Sequence, residues 1–269
     1  MNSFRSRLRR GLGIIAGRSN ASVVGFDIRA NDTFLVSFPK SGNTWARFLI
    51  SNAVAKPTDV VDFGTIERLC PDIHKSSIRE IARVRSPRYI KSHSAFDPRY
   101  PKVIYFVRDP RDVMVSYYYF EKKVGYLGKE VCLDEYCDMF LSRSCPYGSW
   151  AQNVSSWTSA MKFSDNFKLI RYEDLRASPH RTVEEMLDFL GQEYDDARVH
   201  RVIEMSDFKR MRTLESSQSA VWKTTKNSDS SIPFVRSARV GGWKTSLSKE
   251  AQEKIGAEWC SVMKPLGYI

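Results

Sequence analysis

The sequence lacks several patterns that would have placed it in a common functional class. None of its five cysteines forms a Cys-x-x-Cys pair, which argues against a zinc site built from thiolates. No Gly-x-x-x-x-Gly-Lys-Ser/Thr string occurs, so the phosphate loop of Walker-type ATPases is missing. There is no internal repeat, and no apolar run is long enough to span a bilayer. These absences disfavour a thiolate zinc domain, a Walker-type ATPase and an integral membrane protein.

What the chain does have is material for one large core and a surplus of positive charge. It has 269 residues, of which 42% are hydrophobic and 27% charged, and its formal net charge is +11. The length fits one α/β domain, or two small ones at most. The basic surplus suits an anionic partner such as nucleic acid, an anionic membrane or a polyanionic small ligand. Charge alone does not choose among these partners, and a solvated basic surface would also account for it.

The N-terminal part differs in character from the rest. Four arginines within residues 5–10 lie beside a short apolar stretch at residues 12–16, which is too short for the core of a signal peptide. We predict a basic N-terminal segment over residues 1–28, favouring a disordered tail over peripheral contact with an anionic membrane. Residues 29–269 are predicted to form one domain. The irregularly spaced thiols fit a reducing compartment, so we expect a cytoplasmic protein.

Apolar runs alternate with helical patterns along this domain. The predicted strands are Thr33–Phe38, Arg88–Ser92, Lys102–Val107 and Phe167–Arg171. The predicted helices are Trp45–Val54, Pro110–Tyr119, Leu133–Leu141, Trp150–Met161, Thr182–Leu190 and Leu247–Met263. This alternation predicts an α/β fold, with a central parallel sheet flanked by helices in the three-layer, P-loop-kinase-like architecture. Ligands bind such sheets at the carboxyl ends of the strands.

The first polar turn, Pro39-Lys-Ser-Gly-Asn-Thr-Trp45, joins a predicted strand to a helix. The free N–H groups and the dipole of a helix start attract an anion. Gly42 lets the backbone approach the anion, Lys40 adds a mobile positive charge, and Ser41 and Thr44 add hydroxyl donors. The turn therefore predicts a phosphate-binding site, although on its own it also fits an ordinary strand-to-helix connection that carries a lysine.

A second polar turn closes the third strand and opens the next helix. Arg108 and Arg111 lie in this turn, and Ser116 follows one to two helical turns later. A strand-end arginine, a helix start and a serine together predict a second anion site. The alternative interpretation is a structural salt bridge from Arg108 to Asp109 or Asp112.

Four segments of the chain, taken in order, resemble the signature segments of the cytosolic-type sulfotransferase family. They are FPKSGNTW, FVRDPRDVMVSYYYF, RYEDL and FVRSARVGGWK. The resemblance extends from about residue 34 to the C-terminus, and the first two segments are highly specific as a pair. It implies an enzyme that moves a sulfuryl group from 3′-phosphoadenosine 5′-phosphosulfate (PAPS) to an acceptor hydroxyl. Two anion sites would then hold the 5′-phosphosulfate and the 3′-phosphate of one nucleotide.

The resemblance also implies which residues bind the nucleotide. They are Lys40, Ser41, Gly42, Asn43 and Thr44 at the 5′-phosphosulfate, Arg108, Ser116 and Arg236 at the 3′-phosphate, Trp45 and Phe208 around the adenine, and Tyr172 elsewhere on the nucleotide. The chain departs from the family's usual Arg-Lys-Gly at Arg236-Ser237-Ala238, where one charge and one glycine are missing. The family's C-terminal dimer signature is not matched either, which leaves the oligomeric state open.

The segment Lys91-Ser-His93 follows the second strand and falls where the family places its catalytic lysine and histidine. A protonated hydroxyl is a poor nucleophile, and His93 is suited to remove its proton near neutral pH. Lys40 would stabilise negative charge on the departing oxygen, and Lys91 would serve the sulfuryl oxygens. Because these lysines supply the charge that a metal supplies in kinases, we predict that no metal is required.

Three other functions stay open at this point. A nucleotide or small-molecule kinase would need a Walker-type loop, which is missing. A non-catalytic module that binds nucleic acid or an anionic membrane would need clustered basic residues with interleaved aromatics, whereas the charges here are scattered. A degenerate sulfotransferase-like scaffold is favoured slightly by Ser237 and Ala238. We predict an enzyme with a small-molecule, lipid or carbohydrate acceptor and no nucleic-acid partner.

Overall fold

The computed structural model describes residues 25–56, 58–142 and 145–269. The predicted basic segment over residues 1–28 lies outside the described residues except for its last four, so it stays a prediction. Among the helices of the described residues, none is long and apolar enough to cross a membrane.

Four parallel strands form the central sheet. They are β1 (Thr33–Ser37), β2 (Tyr89–Ser92), β3 (Lys102–Val107) and β4 (Phe167–Arg171). Their order across the sheet is β2-β1-β3-β4. The chain leaves β1 on one side to form β2 and then returns to its other side to form β3. This reversal places the topological switch point between β1 and β3, where ligands bind in open parallel sheets.

Helices fill the connections between the strands and the region after them. They are α1 (Asn43–Val54), α2 (Thr65–Leu69), α3 (Ile78–Ala82), α4 (Pro110–Lys123), α5 (Leu133–Leu141), α6 (Trp150–Met161), α7 (Tyr172–Ala177), α8 (Pro179–Leu190), α9 (Asp196–Met205), α10 (Phe208–Gln218), α11 (Trp243–Ser246), α12 (Lys249–Glu258) and α13 (Cys260–Met263), followed by a 3₁₀ turn (Lys264–Leu266). Several of them begin at a side-chain cap; Ser149, for example, accepts a hydrogen bond at the start of α6 in a capping box.

The side chains of each strand divide between the two faces of the sheet, because successive residues of a strand point to opposite sides. On β1, Phe34 and Val36 pack into one apolar layer with α4, α5, α6 and α12. Leu35 packs into the opposite layer with α1, α8 and α9. The three side chains are fully buried. The prediction of a parallel sheet between two helical layers is therefore confirmed.

The sequence located most long elements and missed most short ones. The four strands agree with their predicted bounds to within one residue. The predicted helix Leu247–Met263 was too long, since the structure breaks it at Trp259 into α12 and α13. The polar stretch Glu215–Ser231 begins as the end of α10 and continues as a long loop. Trp150 and Trp157 of α6 belong to the core, where both are fully buried.

Candidate functional site

A cavity of about 450 Å³ lies at the carboxyl ends of the four strands. Residues that directly follow each strand line this cavity. The turn 38–42 follows β1, His93 follows β2, Arg108 follows β3 and Tyr172 follows β4. The lining includes every site residue predicted from the sequence except Ser41, which is buried beside it. The lining members of that set are Lys40, Gly42, Asn43, Thr44, Trp45, Lys91, His93, Arg108, Ser116, Tyr172, Phe208 and Arg236.

The turn after β1 leaves the start of α1 open to an anion. Asn43 turns its amide back to the strand, where its Nδ2 donates to the Leu35 carbonyl oxygen at 3.0 Å and to Ser37 Oγ at 3.1 Å. Within the described residues, no side chain makes a capping hydrogen bond at Gly42, the N-cap of α1, and the first N–H groups of a helix have no partner in the helix itself. The buried hydroxyl of Ser41 also has no hydrogen-bond partner among the described residues. This group of unused donors is what an anion at a helix start requires.

Gly42 allows Tyr172 to lie directly against this turn. Its φ is 97°, in the left-handed region, and a Cβ added there would lie 2.6 Å from Cδ2 of Tyr172. Any side chain would therefore strain the backbone and displace the ring. The phosphate turn and the residue after β4 are consequently packed as one unit.

We expect Gly42→Ala to destabilise the protein by about 1–2 kcal/mol, the usual cost of a left-handed Cβ, and to weaken nucleotide binding about tenfold or more. Chemical denaturation measures the first effect, and calorimetry with 3′-phosphoadenosine 5′-phosphate measures the second. Gly256→Ala is the matched control, because an added Cβ there meets no atom within 4 Å. Unchanged binding in Gly42→Ala would show that the close packing has no role in the site.

Lys40 points into an aromatic slot at the side of the cavity. Its Nζ lies 4.4 Å from the ring centroid of Phe120 and 4.0 Å from that of Phe234. No carboxylate of the described residues lies within ion-pair distance of it. Burial of the ammonium, with a smaller contribution from the charge of Arg108, lowers the pKa of Lys40 to about 7. An anionic ligand would supply the opposite charge that this lysine lacks.

His93 is held in one tautomer by the end of β1. Its Nδ1 lies 2.7 Å from the carbonyl oxygen of Ser37. A carbonyl can only accept, so Nδ1 carries the proton and Nε2 of the neutral ring keeps its lone pair. Burial and the nearby charge of Lys91 hold the pKa of His93 well below its usual value. The imidazole is therefore neutral at pH 7 and has a free basic nitrogen.

A second histidine, which the sequence analysis left without a role, supports this arrangement. Nε2 of His74 accepts a hydrogen bond from the backbone N–H of His93 at 2.9 Å, and the two rings lie nearly parallel with centroids 5.9 Å apart. Tyr147 packs against both rings. Burial lowers the pKa of His74 to about 4, so it stays neutral and can accept this bond. The backbone at the end of β2 is thus fixed by its neighbours.

Lys91 forms a buried ion pair with Asp72, which sequence reasoning also missed. The Lys91 Nζ to Asp72 Oδ2 distance is 2.5 Å. Burial alone would raise the pKa of Asp72, but the ammonium of Lys91 and other nearby cations hold it well below its usual range. An ammonium has three donors, so this pair leaves further donors of Lys91 for other partners. No local pattern around Asp72 could have revealed a partner nineteen residues later.

Arg108 stands at the end of β3 with its guanidinium over the ring of Tyr172, 4.2 Å from the centroid. Its Nη2 donates to the Arg239 carbonyl oxygen at 2.8 Å and lies 3.6 Å from Asp112 Oδ2. Its buried Nε has no hydrogen-bond partner among the described residues. The salt bridge considered from the sequence therefore exists toward Asp112, yet it leaves part of the guanidinium available.

Arg111 has a structural role instead. It pairs with Asp109 at 2.6 Å, and its Nη2 donates to the Tyr268 carbonyl oxygen at 2.7 Å. Its guanidinium also stacks over Trp243, 3.7 Å from the ring centroid. These contacts fasten the C-terminal end of the chain to the start of α4 and turn Arg111 away from the anion site.

The carboxylate of Asp112 helps to fasten the segment that follows Arg236 to the start of α4. Asp112 accepts from the backbone N–H groups of Gly241 at 2.8 Å and Trp243 at 3.0 Å. Arg236 lies over the ring of Tyr119, 4.6 Å from its centroid. Ala238, which stands where the family usually has glycine, has a φ of 50° in the left-handed region. The chain thus keeps the glycine-type conformation without the glycine, at a cost in backbone strain.

The two aromatic side chains predicted to lie around the adenine, Trp45 and Phe208, both line the cavity. Trp45 belongs to the first turn of α1, and Phe208 begins α10; both are half-buried. The Trp45 ring meets Tyr172 edge-on, with centroids 5.7 Å apart. Arg176 lies 5.5 Å from the Trp45 ring centroid. Flat ring surfaces of this kind suit a nucleobase.

A long loop at residues 219–242 forms part of the cavity wall. Trp222, Thr224 and Phe234 of this loop line the cavity. The buried carboxylate of Glu215 accepts from the backbone N–H groups of Phe234 and Val235, at 2.5 and 2.8 Å. The polar composition of residues 215–231 is typical of a loop, but it does not reveal this anchor, since a lone acid in a polar stretch has no distinguishing pattern.

Comparisons with known proteins agree on one family. The sulfotransferase domain model matches residues 30–265. Sulfotransferase 1E1 of Bos taurus is 28% identical over 257 residues, covering 90% of this chain and 87% of that protein. The 3-beta-hydroxysteroid sulfotransferase of Cavia porcellus is 31% identical over 246 residues, covering 87% and 85%.

Solved structures show the same fold. The mouse sulfotransferase SULT7A1 complexed with PAP superposes with a TM-score of 0.73 at 23% identity, covering 91% of each chain. The family model spans most of this chain, and the resemblance inferred from its four signature segments is confirmed. The protein therefore belongs to the sulfotransferase family.

Proposed function

We propose that this protein transfers the sulfuryl group of PAPS to the hydroxyl of a small-molecule acceptor, with His93 as the general base. The observation that carries the proposal is the common cavity of two anion sites and one basic nitrogen. The uncapped start of α1 with Lys40 would hold the 5′-phosphosulfate. Arg108, Ser116 and Arg236 would hold the 3′-phosphate.

The proposed step balances without a further reactant. Nε2 of His93 takes the proton of the acceptor hydroxyl while the acceptor oxygen forms a bond to sulfur. The bond from sulfur to the bridging oxygen breaks in line, and its electron pair stays on that oxygen. The products are the sulfated acceptor and 3′-phosphoadenosine 5′-phosphate. Lys40 and the N–H groups of α1 would stabilise the charge that develops on the departing oxygen.

Lys91 would assist from the other side of the transferred group. Its ammonium is held by Asp72, and its remaining donors would serve the sulfuryl oxygens. Lysine and arginine side chains thus supply the positive charge, and we keep the prediction that no metal takes part. Turnover that persists in excess chelator is the expected result.

The cavity lining outside the predicted nucleotide residues favours an acceptor with an apolar or aromatic body. It includes Tyr147, whose ring packs against His93, and Tyr117, Val124, Tyr126 and Trp222. Aromatic walls bury ring systems well, whereas carbohydrates need more polar partners. The Cavia porcellus relative, which is 31% identical, is a 3-beta-hydroxysteroid sulfotransferase. We therefore place phenols and alcohols with apolar ring systems first among the acceptors.

The test is transfer of label from ³⁵S-labelled PAPS to a panel containing a phenol, a steroid alcohol, a long-chain alcohol and a sugar. We expect labelled product with at least one ring-bearing alcohol and none from adenosine 5′-phosphosulfate, which lacks the 3′-phosphate. Tight binding of the nucleotide with no transfer to any acceptor class would instead support a non-catalytic relative.

Arg108→Ala is expected to weaken binding of 3′-phosphoadenosine 5′-phosphate by about 10- to 100-fold, the effect of losing a charge-assisted contact. Binding of adenosine 5′-phosphate should change little, because it has no 3′-phosphate for the arginine to contact. Calorimetry with both nucleotides separates a loss that is specific to the 3′-phosphate from a general loss of nucleotide binding. Arg99→Ala is the control, since Arg99 is an exposed arginine that pairs with Asp97. Equal losses for both nucleotides would contradict the assignment.

A further inference from the structure

Away from the cavity, a cluster of side chains on α8 and α9 has the composition of a transition-metal site. His180, Asp196 and His200 offer one imidazole nitrogen or carboxylate oxygen each, and these ligand atoms all lie within 4.8 Å of one another. His180 is in the first turn of α8, Asp196 is the first residue of α9, and His200 follows one turn later. The reaction proposed above uses none of them.

The carboxylate of Asp196 faces both imidazoles through different oxygens. Its Oδ1 lies 2.8 Å from Nε2 of His180, and its Oδ2 lies 3.3 Å from Nε2 of His200. In a tetrahedral zinc site with bonds of about 2.0–2.1 Å, neighbouring ligand atoms lie roughly 3.3 Å apart. The two distances from Asp196, 2.8 and 3.3 Å, are near this spacing, and the two imidazole nitrogens lie within 4.8 Å of each other, so side-chain rotation would have to bring all three ligand atoms around one Zn²⁺ ion.

Glu184 adds an orienting contact behind His180. Its Oε2 lies 3.4 Å from Nδ1 of His180. Nε2 of His180 lies at hydrogen-bond distance from Asp196 Oδ1 and donates to it; if Nδ1 carries the proton instead and donates to Glu184, Nε2 is left with the lone pair that a metal needs. A carboxylate behind a ligating histidine is the usual outer partner in zinc sites, where it fixes the ring and raises its basicity.

We propose that His180, Asp196 and His200 bind one Zn²⁺ ion through two imidazole nitrogens and a carboxylate, with Glu184 as a positioning residue for His180. Imidazole and carboxylate ligands suit zinc, and water would complete four-fold coordination. The ion would join α8 to α9. Arg198 and Arg201 of α9 in turn donate to carbonyl oxygens at the end of α1, so the joined helices support the helix that begins at the phosphate turn.

The competing interpretation is a set of plain ion pairs. Protonated imidazoles would attract the two carboxylates, and acidic side chains are favourable near helix starts in any case. The two interpretations differ in their response to zinc. Plain ion pairs predict no saturable metal uptake at this place, whereas the proposed site predicts one bound ion that depends on each ligand.

The experiment is calorimetric titration of the full-length protein with ZnSO₄. Both proteins to be compared carry Cys132→Ser and Cys260→Ser, because these two exposed thiols would also bind zinc. The protein with only these two substitutions is the parent. We expect it to bind one more equivalent of zinc than the same protein with His200→Ala. The Glu184→Gln protein should bind the same number of zinc ions as the parent, but its affinity for the additional ion should be about 10- to 100-fold lower, the usual effect of losing an outer-shell partner. Mg²⁺ should give no saturable binding.

Thermal unfolding provides a second readout. Zinc should raise the Tm of the parent and leave that of the His200→Ala protein unchanged, because a ligand stabilises only the state that binds it. Glu204→Gln, an exposed acid on the same helix outside the cluster, should behave as the parent does. Equal zinc stoichiometry and affinity with and without His200, or no zinc effect on the Tm of either protein, would overturn the proposal.

Discussion

His93→Ala is expected to lower the turnover of sulfuryl transfer by about 10²- to 10⁴-fold, the range for removing a general base. The affinity for 3′-phosphoadenosine 5′-phosphate should change by less than about threefold, because no anion contact is lost. The reason lies in the tautomer: Ser37 holds the proton on Nδ1, so Nε2 is the nitrogen that can accept a proton. Single-turnover assays with saturating nucleotide and acceptor measure the chemical step directly.

His93→Asn separates the base from a structural role. Asparagine can still donate to the Ser37 carbonyl oxygen, but it has no basic nitrogen, so its turnover should be as low as that of the alanine variant. Recovery of turnover in His93→Asn would mean that only the hydrogen bond to the Ser37 carbonyl oxygen matters.

The pH dependence of turnover provides a further test of His93 as the base. Because the pKa of His93 lies well below its usual value, turnover should stay flat through pH 6–7, and a rise centred near 6.5 would contradict a buried base.

Lys40→Met is expected to lower turnover by about 10²- to 10³-fold, comparable to losing one preorganised donor at a developing negative charge. Methionine keeps an unbranched apolar stem between Phe120 and Phe234, so the aromatic slot stays filled and the protein should fold. Lys254→Met is the matched control. Lys254 is a surface lysine that pairs with Asp138, and its loss should leave turnover unchanged. Full turnover in Lys40→Met would remove Lys40 from the reaction.

The lowered pKa of Lys40 also predicts a pH dependence of nucleotide binding. In the free protein this pKa is about 7, and a bound anion would raise it. The protonated form binds, so the affinity should be highest below pH 7 and should fall by up to about tenfold per pH unit above it. Calorimetry between pH 6 and 8.5 should show this slope in the wild type. The slope should vanish in Lys40→Met.

Local patterns were enough to predict the sheet and the two polar turns at its edge. A strand, a short polar turn and a helix follow one another without interruption around Lys40 and around Arg108. The spacing of apolar and polar residues is therefore enough to locate these turns. All four strand ends then meet at one edge because parallel strands share their direction. The three-layer fold and the clustering of the predicted residues both follow from that arrangement.

The missed features depend on contacts between distant parts of the chain. Asp72 reaches Lys91 across the end of β2, and Glu215 reaches the backbone of Phe234, nineteen residues later. Arg111 looks like a phosphate ligand in the sequence, and only its packing on Trp243 reveals its structural role. Contacts of this kind leave no repeating pattern in the local sequence, because they are set by the tertiary packing of the helices and strands.

Helix α4 has a consequence for how acceptor preference can change. Ser116 lies on this helix, which begins two residues after Arg108, and its last residue, Lys123, donates to the carbonyl oxygens of Asp229 and Ile232 in the loop at residues 219–242. If Arg108 and Ser116 hold the 3′-phosphate as proposed, the loop is attached to the opposite end of the helix that carries Ser116. Insertions or exchanges within residues 219–231 would then change the cavity wall without moving the residues proposed for the 3′-phosphate. Under the proposed function, acceptor range and donor affinity would therefore be able to evolve separately.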